Sequence, residues 1–171
     1  MAVAMAGGAF YLACPKVLRI DLNGRLRPWS TAKDVILEIL KKLTTKGNVG
    51  TAIEYGGSGI KTLTVPERST LTNMGAELGI TTSLFPSDVV TRQFFAAQGR
   101  EADWRELLPD RNAAYHDRIA IDLETIDPSV ALPHSPDNVR TVRETGPIEA
   151  HQVLIGSCTN SSYRDLMVVA A

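Results

Sequence analysis

Apolar and polar residues alternate over 16–22, with Val17, Leu18, Ile20 and Leu22 as the apolar members, a pattern that predicts a strand. Asn23-Gly24 follows, a strong hairpin signal, so Arg25-Leu26-Arg27 is expected to return as an antiparallel strand that Pro28 ends. The period then changes. Val35, Ile36, Ile39, Leu40 and Leu43 recur at helical spacing behind Thr31, with Asp34 placed to complete a capping box and Gly47 to close the element. A short strand is expected over 51–55. A second helix begins at Thr64, with Pro66 in its first turn and Glu67 three residues after the cap. It should run to about Leu78 and end at Gly79, with Leu71, Met74 and Leu78 as its core stripe.

Further on, residues 82–85 predict a strand and 89–98 a helix closed by Gly99; 100–117 is polar with little periodicity, and 118–123 alternates as a strand. Residues 127–137 carry Pro128, Pro133 and Pro136 and are the best candidate for a domain boundary. A strand over 151–155 and a helix from Tyr163 close the pattern. Strands alternating with helices predict a layered α/β fold, α/β/α, and the Asn23-Gly24 hairpin would make its sheet mixed.

Composition adds limits. The chain has 171 residues, 44% hydrophobic and 22% charged, with net charge −1, so nothing marks a polyanionic partner such as nucleic acid. Two cysteines make no disulfide framework and suit a reducing, cytoplasmic setting. Residues 1–15 are apolar but lack the basic start of a signal peptide, and they are too short to span a bilayer. They suit the tail of a helix that begins upstream, which would make this chain an internal piece of something longer.

Three residues stand out for chemistry. Cys158 sits in Gly156-Ser157-Cys158-Thr159-Asn160, between an apolar run and the start of a helix, where free helix N–H groups would favour a thiolate. That suits a nucleophile or a metal ligand; a buried inert thiol is the bland alternative. His116, His134 and His151 are the only histidines available as a base, and local sequence places none of them beside it. Asn73 and Glu77 lie four apart on the second helix, on one face with Thr70, as either a solvated surface or an amide–carboxylate pair facing a cleft. Cys14, before Pro15, reads as core, and Trp29 and Trp104 as packing or helix-start residues. Gly56-Gly57-Ser58-Gly59 lacks a phosphate-loop or dinucleotide spacing and reads as a tight turn.

Taken together, these segments resemble the aconitase family. The run Ile155-Gly156-Ser157-Cys158-Thr159-Asn160-Ser161-Ser162-Tyr163 looks like that family's first cluster-ligand motif, and Thr72-Asn73-Met74-Gly75-Ala76-Glu77 like its central-domain motif. Cys14-Pro15-Lys16 and the stretch from Pro28-Trp29 to Ile36 also read like it. The related isopropylmalate dehydratases share the Gly-Ser-Cys-Thr-Asn run but typically carry Asn-Met-Ser-Ile-Glu, so residues 73–77 lean toward aconitase proper.

The resemblance implies an iron–sulfur domain of aconitase type within a multidomain hydro-lyase. That enzyme would interconvert citrate and isocitrate through cis-aconitate, with a [4Fe–4S] cluster as Lewis acid. It implies Cys158 as one cluster ligand, Asn73 near the cluster and substrate, and Glu77 in the network around the substrate hydroxyl. It also implies residues 1–15 as the tail of a preceding domain, 16–130 as a central α/β domain and 131–171 as the start of the next.

Two further cluster cysteines, an Asp-Ser-His segment and later arginines and serines of the family are absent here. The chain alone is therefore expected to bind no cluster and to be inactive. The expected partners are the remaining domains, a small tricarboxylate and, through its exposed ends, a second copy of the chain; neither nucleic acid nor membrane is expected. The alternatives are a non-catalytic binding or regulatory module of the same fold, a thiol enzyme built on Cys158, or a hydratase for another tricarboxylate or isopropylmalate.

Overall fold

The computed structural model describes residues 2–159 and 161–170; Asn160 of the cysteine motif lies outside them. Four strands, β1 (Lys16–Asn23), β2 (Thr51–Gly56), β3 (Thr82–Leu84) and β4 (Asp117–Asp122), form one parallel sheet in the order β3-β2-β1-β4. The helices are α1 (Ala2–Met5), α2 (Ala32–Leu43), α3 (Val65–Asn73), α4 (Val89–Ala97), α5 (Val142–Thr145) and α6 (Tyr163–Ala170). A separate antiparallel ribbon pairs β5 (Ser129–Ala131) with β6 (Val139–Thr141).

The core lies between the sheet and the pair α2 and α3. Alternate residues Leu18, Ile20 and Leu22 of β1 point into it with Ile53 and Tyr55 of β2, and meet Val35, Ile36, Ile39 and Leu40 of α2 and Leu71 of α3. Both predicted helix starts are built as the sequence suggested. The Asp34 carboxylate accepts from the Thr31 N–H at 2.7 Å, and its other oxygen accepts from the Ser129 N–H at 2.8 Å, tying the ribbon to α2. On the opposite face of the sheet, Arg19 donates to Asp21 and Glu54, and Tyr115 donates to Glu54. Burial opposes the Arg19 charge, but the Asp21 hydrogen bond and the surrounding anionic groups outweigh it and hold this guanidinium above its ordinary pKa.

The Asn23-Gly24 hairpin does not form. Both edges of β1 are occupied by parallel partners, β2 and β4, so Arg25-Leu26-Arg27 finds no edge to pair with. Asn23 instead accepts from the Ser58 N–H at 3.3 Å, and the only antiparallel pairing among the described strands is the β5–β6 ribbon. The proline-rich segment expected as a boundary forms that ribbon and packs on the central core: Val139 is 2% exposed, and Asp137 accepts from the Thr45 N–H at 3.0 Å.

Other expectations also change. Helix α2 ends at Leu43 with Thr44 in a positive-φ conformation (φ 59°), ahead of Gly47. Residues 151–155 are irregular, because no partner strand lies beside them among the described residues. Cys14, read as core, is exposed, and so is Trp29. The glycine-rich turn is a packing device: a Cβ on Gly57 would stand 2.3 Å from the Leu22 carbonyl oxygen. No described helix is long and apolar enough to cross a membrane.

Candidate functional site

Helix α3 carries one wall of the site, and its placement rests on Arg68. This side chain points into the interior and makes a bidentate pair with Asp88, both contacts at 2.9 Å, while also donating to the Ile60 carbonyl at 2.8 Å and the Leu63 carbonyl at 3.2 Å. Asp88 is the N-cap of α4 and accepts from the Val90 and Thr91 N–H groups. Burial pushes the Asp88 carboxyl up, but the Arg68 pair and those two N–H groups outweigh it and hold it below the usual carboxylate range. One ion pair thus fixes α3, α4 and the preceding 3₁₀ turn, Ser58–Thr62, to each other.

At its N-terminus α3 is closed by Thr64 and Glu67. One Glu67 oxygen accepts from the Thr64 N–H at 2.8 Å and from its hydroxyl at 2.7 Å. The α-helix stops at Asn73 and tightens into a 3₁₀ turn over Met74–Leu78, with Gly79 in the left-handed conformation behind it. The core stripe survives this change: Leu71 and Leu78 are fully buried and Met74 packs against them. The shared face of Asn73 and Glu77 does not. Four residues advance about 40° around an α-helix but about 120° around a 3₁₀ helix, so Glu77 turns away from the face that carries Asn73.

The cysteine motif comes to the other side of this face. Ser157 takes a positive φ of 69°, and Ser161 donates to its carbonyl at 2.6 Å, which folds the chain into a tight turn. Cys158 is exposed on that turn. The Asn73 side-chain amide donates to the Cys158 carbonyl at 3.4 Å, across 85 residues of sequence. The helix start expected to face the sulfur is already satisfied. Helix α6 begins at Tyr163, where Ser162 and Asp165 cap each other through the Ser162 N–H to Asp165 contact at 2.9 Å and the Asp165 N–H to Ser162 contact at 3.2 Å.

Between these elements lies a groove of about 490 Å³. Its walls are the start of α2 at Ser30–Lys33, one face of α3 including Thr70 and Asn73, Phe94 of α4, and the turn and helix that hold Cys158 and Arg164. Asn73 and Cys158 line it together; Glu77 does not, and neither does any histidine. Among the described residues, the thiol-enzyme reading thus finds no histidine in the groove beside its nucleophile. Among the described residues no three His, Cys, Asp or Glu side chains converge as a metal-binding group. Cys158 is the only thiol in the groove, and one thiolate cannot hold a four-iron cluster, so the residues of this chain fit one corner of such a group rather than the whole.

Two polar residues at the groove were not singled out as site residues from the sequence. Glu67 was legible only as a helix cap, and Arg164 carried no signal, because its partner lies 97 residues away.

Residues 1–152 match the sequence profile of the aconitase family (aconitate hydratase), a match that ends just before the cysteine motif. Longer similarities include it. The chain is 41% identical over 170 residues to the 3-isopropylmalate dehydratase large subunit 1 of Thermotoga maritima, covering 98% of this chain and 41% of that protein. It is 40% identical to the large subunit 2 of Archaeoglobus fulgidus, covering 99% of this chain and 41% of that one. Against the mitochondrial aconitate hydratase of Schizosaccharomyces pombe it is 38% identical over 182 residues, covering 98% of this chain and 23% of that protein. The chain thus spans well under half the length of these relatives, and identity alone does not separate the two kinds. With a matching profile over most of its length and relatives at about 40% identity, the chain belongs to the aconitase family.

Proposed function

We propose that this chain is part of a hydro-lyase that interconverts citrate and isocitrate through cis-aconitate. The observation that carries the reading is the Asn73 amide on the Cys158 carbonyl, which brings the two motifs of the resemblance to one groove. A [4Fe–4S] cluster, when bound, supplies a Lewis acid for the substrate hydroxyl. Cys158 would hold one corner of it, with the remaining thiolates outside this chain. Asn73 orients the cysteine turn through its carbonyl. Glu77 takes its role in the substrate network from the resemblance, and its exposed position outside the groove leaves it free to face another part of the protein.

A second reading, a dehydratase for 3-isopropylmalate, is favoured by the apolar side of the groove, where Val65, Phe94, Val168 and Val169 would receive an alkyl group. Residues 73–77 favour the first.

The full reading frame, reconstituted anaerobically with iron and sulfide, separates these. Ultraviolet absorbance of the unsaturated acid should appear with citrate and isocitrate, and Cys158→Ser should lower the rate at least about a hundredfold, because losing a ligand exceeds the ~10–100-fold effect of losing its outer-shell partners. Turnover of 3-isopropylmalate alone would select the second reading, and no turnover would leave the non-catalytic module. The 171-residue chain alone should be inactive, and recovery of about four iron per chain after reconstitution would overturn that.

A further inference from the structure

We infer that Arg164 is a positioning residue, which clasps Glu67 and so holds the Cys158 turn against α3. The inference rests on reading Cys158 as the working residue of the groove, but its geometry stands apart from any metal.

The two oxygens of Glu67 divide their work. One closes the capping box with Thr64; the other accepts from Arg164 Nη1 at 2.8 Å. The Glu67 side chain is 19% exposed and already held by the cap, so little freedom is lost when Arg164 arrives. Arg164 lies in the first turn of α6, and its backbone is set by the Ser162–Asp165 cap.

The second tether is the Asn73 to Cys158 contact. Glu67 and Asn73 are six residues apart, about 9 Å along α3. Arg164 and Cys158 are also six apart, running the other way. Two tethers that run antiparallel along α3 hold the cysteine turn at two points and so fix its orientation, where either alone would leave it free to swing. The charged tether also has reach: it responds to ionic strength, which the amide tether does not.

The test measures position. In a Cys14→Ser, Thr70→Cys chain, which keeps both tethers, the rate of disulfide formation between the introduced thiol and Cys158 across the groove reports how often the turn sits against α3. Arg164→Gln should slow it by about fivefold, the scale of one exposed ion pair. Glu67→Gln, which keeps the helix cap, should slow it similarly, while Arg164→Lys should stay near the parent rate. Raising salt to about 1 M should slow the unsubstituted pairing, an arm that does not depend on any variant of the clasp folding, and should leave Arg164→Gln, which has no charge facing Glu67 to screen, unchanged. Equal rates across the variants and across salt would overturn the inference. Such a failure would leave the hydro-lyase proposal standing, because no step of this test involves iron or substrate.

Discussion

At the residue scale, the pair Arg68–Asp88 decides most. Their side chains are 5% and 10% exposed, and both charges were removed from water for a bidentate contact. Arg68→Met should cost about 3–5 kcal/mol in urea melts near neutral pH, because Asp88 would remain as an unpaired buried carboxylate. The pH dependence has a definite sign. Asp88 is held below its usual range when folded, so its contribution is complete above an unfolded pKa of about 3.9 and is lost as pH falls through the lower folded value. The parent chain should therefore show a fall in stability below about pH 4 that is shallower in Arg68→Met; superimposable acid limbs would refute the assignment. Leu71 and Leu78 were legible as core because apolar residues at helical spacing announce burial. Arg68 was not, since a charged residue is buried only when a partner neutralises it, and that partner sits 20 residues on. Cys14 failed in the other direction: an apolar neighbourhood in sequence did not put it under a layer of structure.

At the element scale, local signals were reliable where the physics is local. The Thr31–Asp34 and Thr64–Glu67 pairs start helices because cap and acceptor lie within one turn. Signals that need a distant partner were not. Asn23-Gly24 has hairpin chemistry, yet β1 is already paired on both sides; residues 151–155 have strand chemistry and no described neighbour to pair with. Two glycines on either side of β2 show the same division. Gly47 and Gly57 both have positive φ, 88° and 85°, but only Gly57 is crowded, by the Leu22 backbone. Gly47→Ala should cost about 1 kcal/mol for the left-handed backbone alone, whereas Gly57→Ala should cost clearly more, because β1 must move aside. Equal losses in thermal unfolding would mean that the close approach to Leu22 contributes nothing.

At the scale of the whole molecule, the parallel sheet and α2 and α3 bury the apolar centre, while both chain ends leave large side chains in water. Tyr11 is 91% exposed, with Phe10 and Leu12 beside it, and Val168 and Val169 are exposed on α6. The chain should therefore self-associate through these ends in light scattering; a monomer whose two ends both resist hydrogen exchange would contradict this. By itself the sequence determined the alternation of strands and helices, their caps and the residues of the chemistry-bearing motifs, because those depend on period and on contacts within a turn or two. Tertiary structure alone decided that the sheet is parallel, that Arg68 is buried, that Glu77 turns away where the helix tightens, and that Asn73 and Arg164 bring the Cys158 turn to α3. Apart from the local tightening that turns Glu77, each of these is a pairing across tens of residues, and its energy exists only once the chain has folded both partners into place.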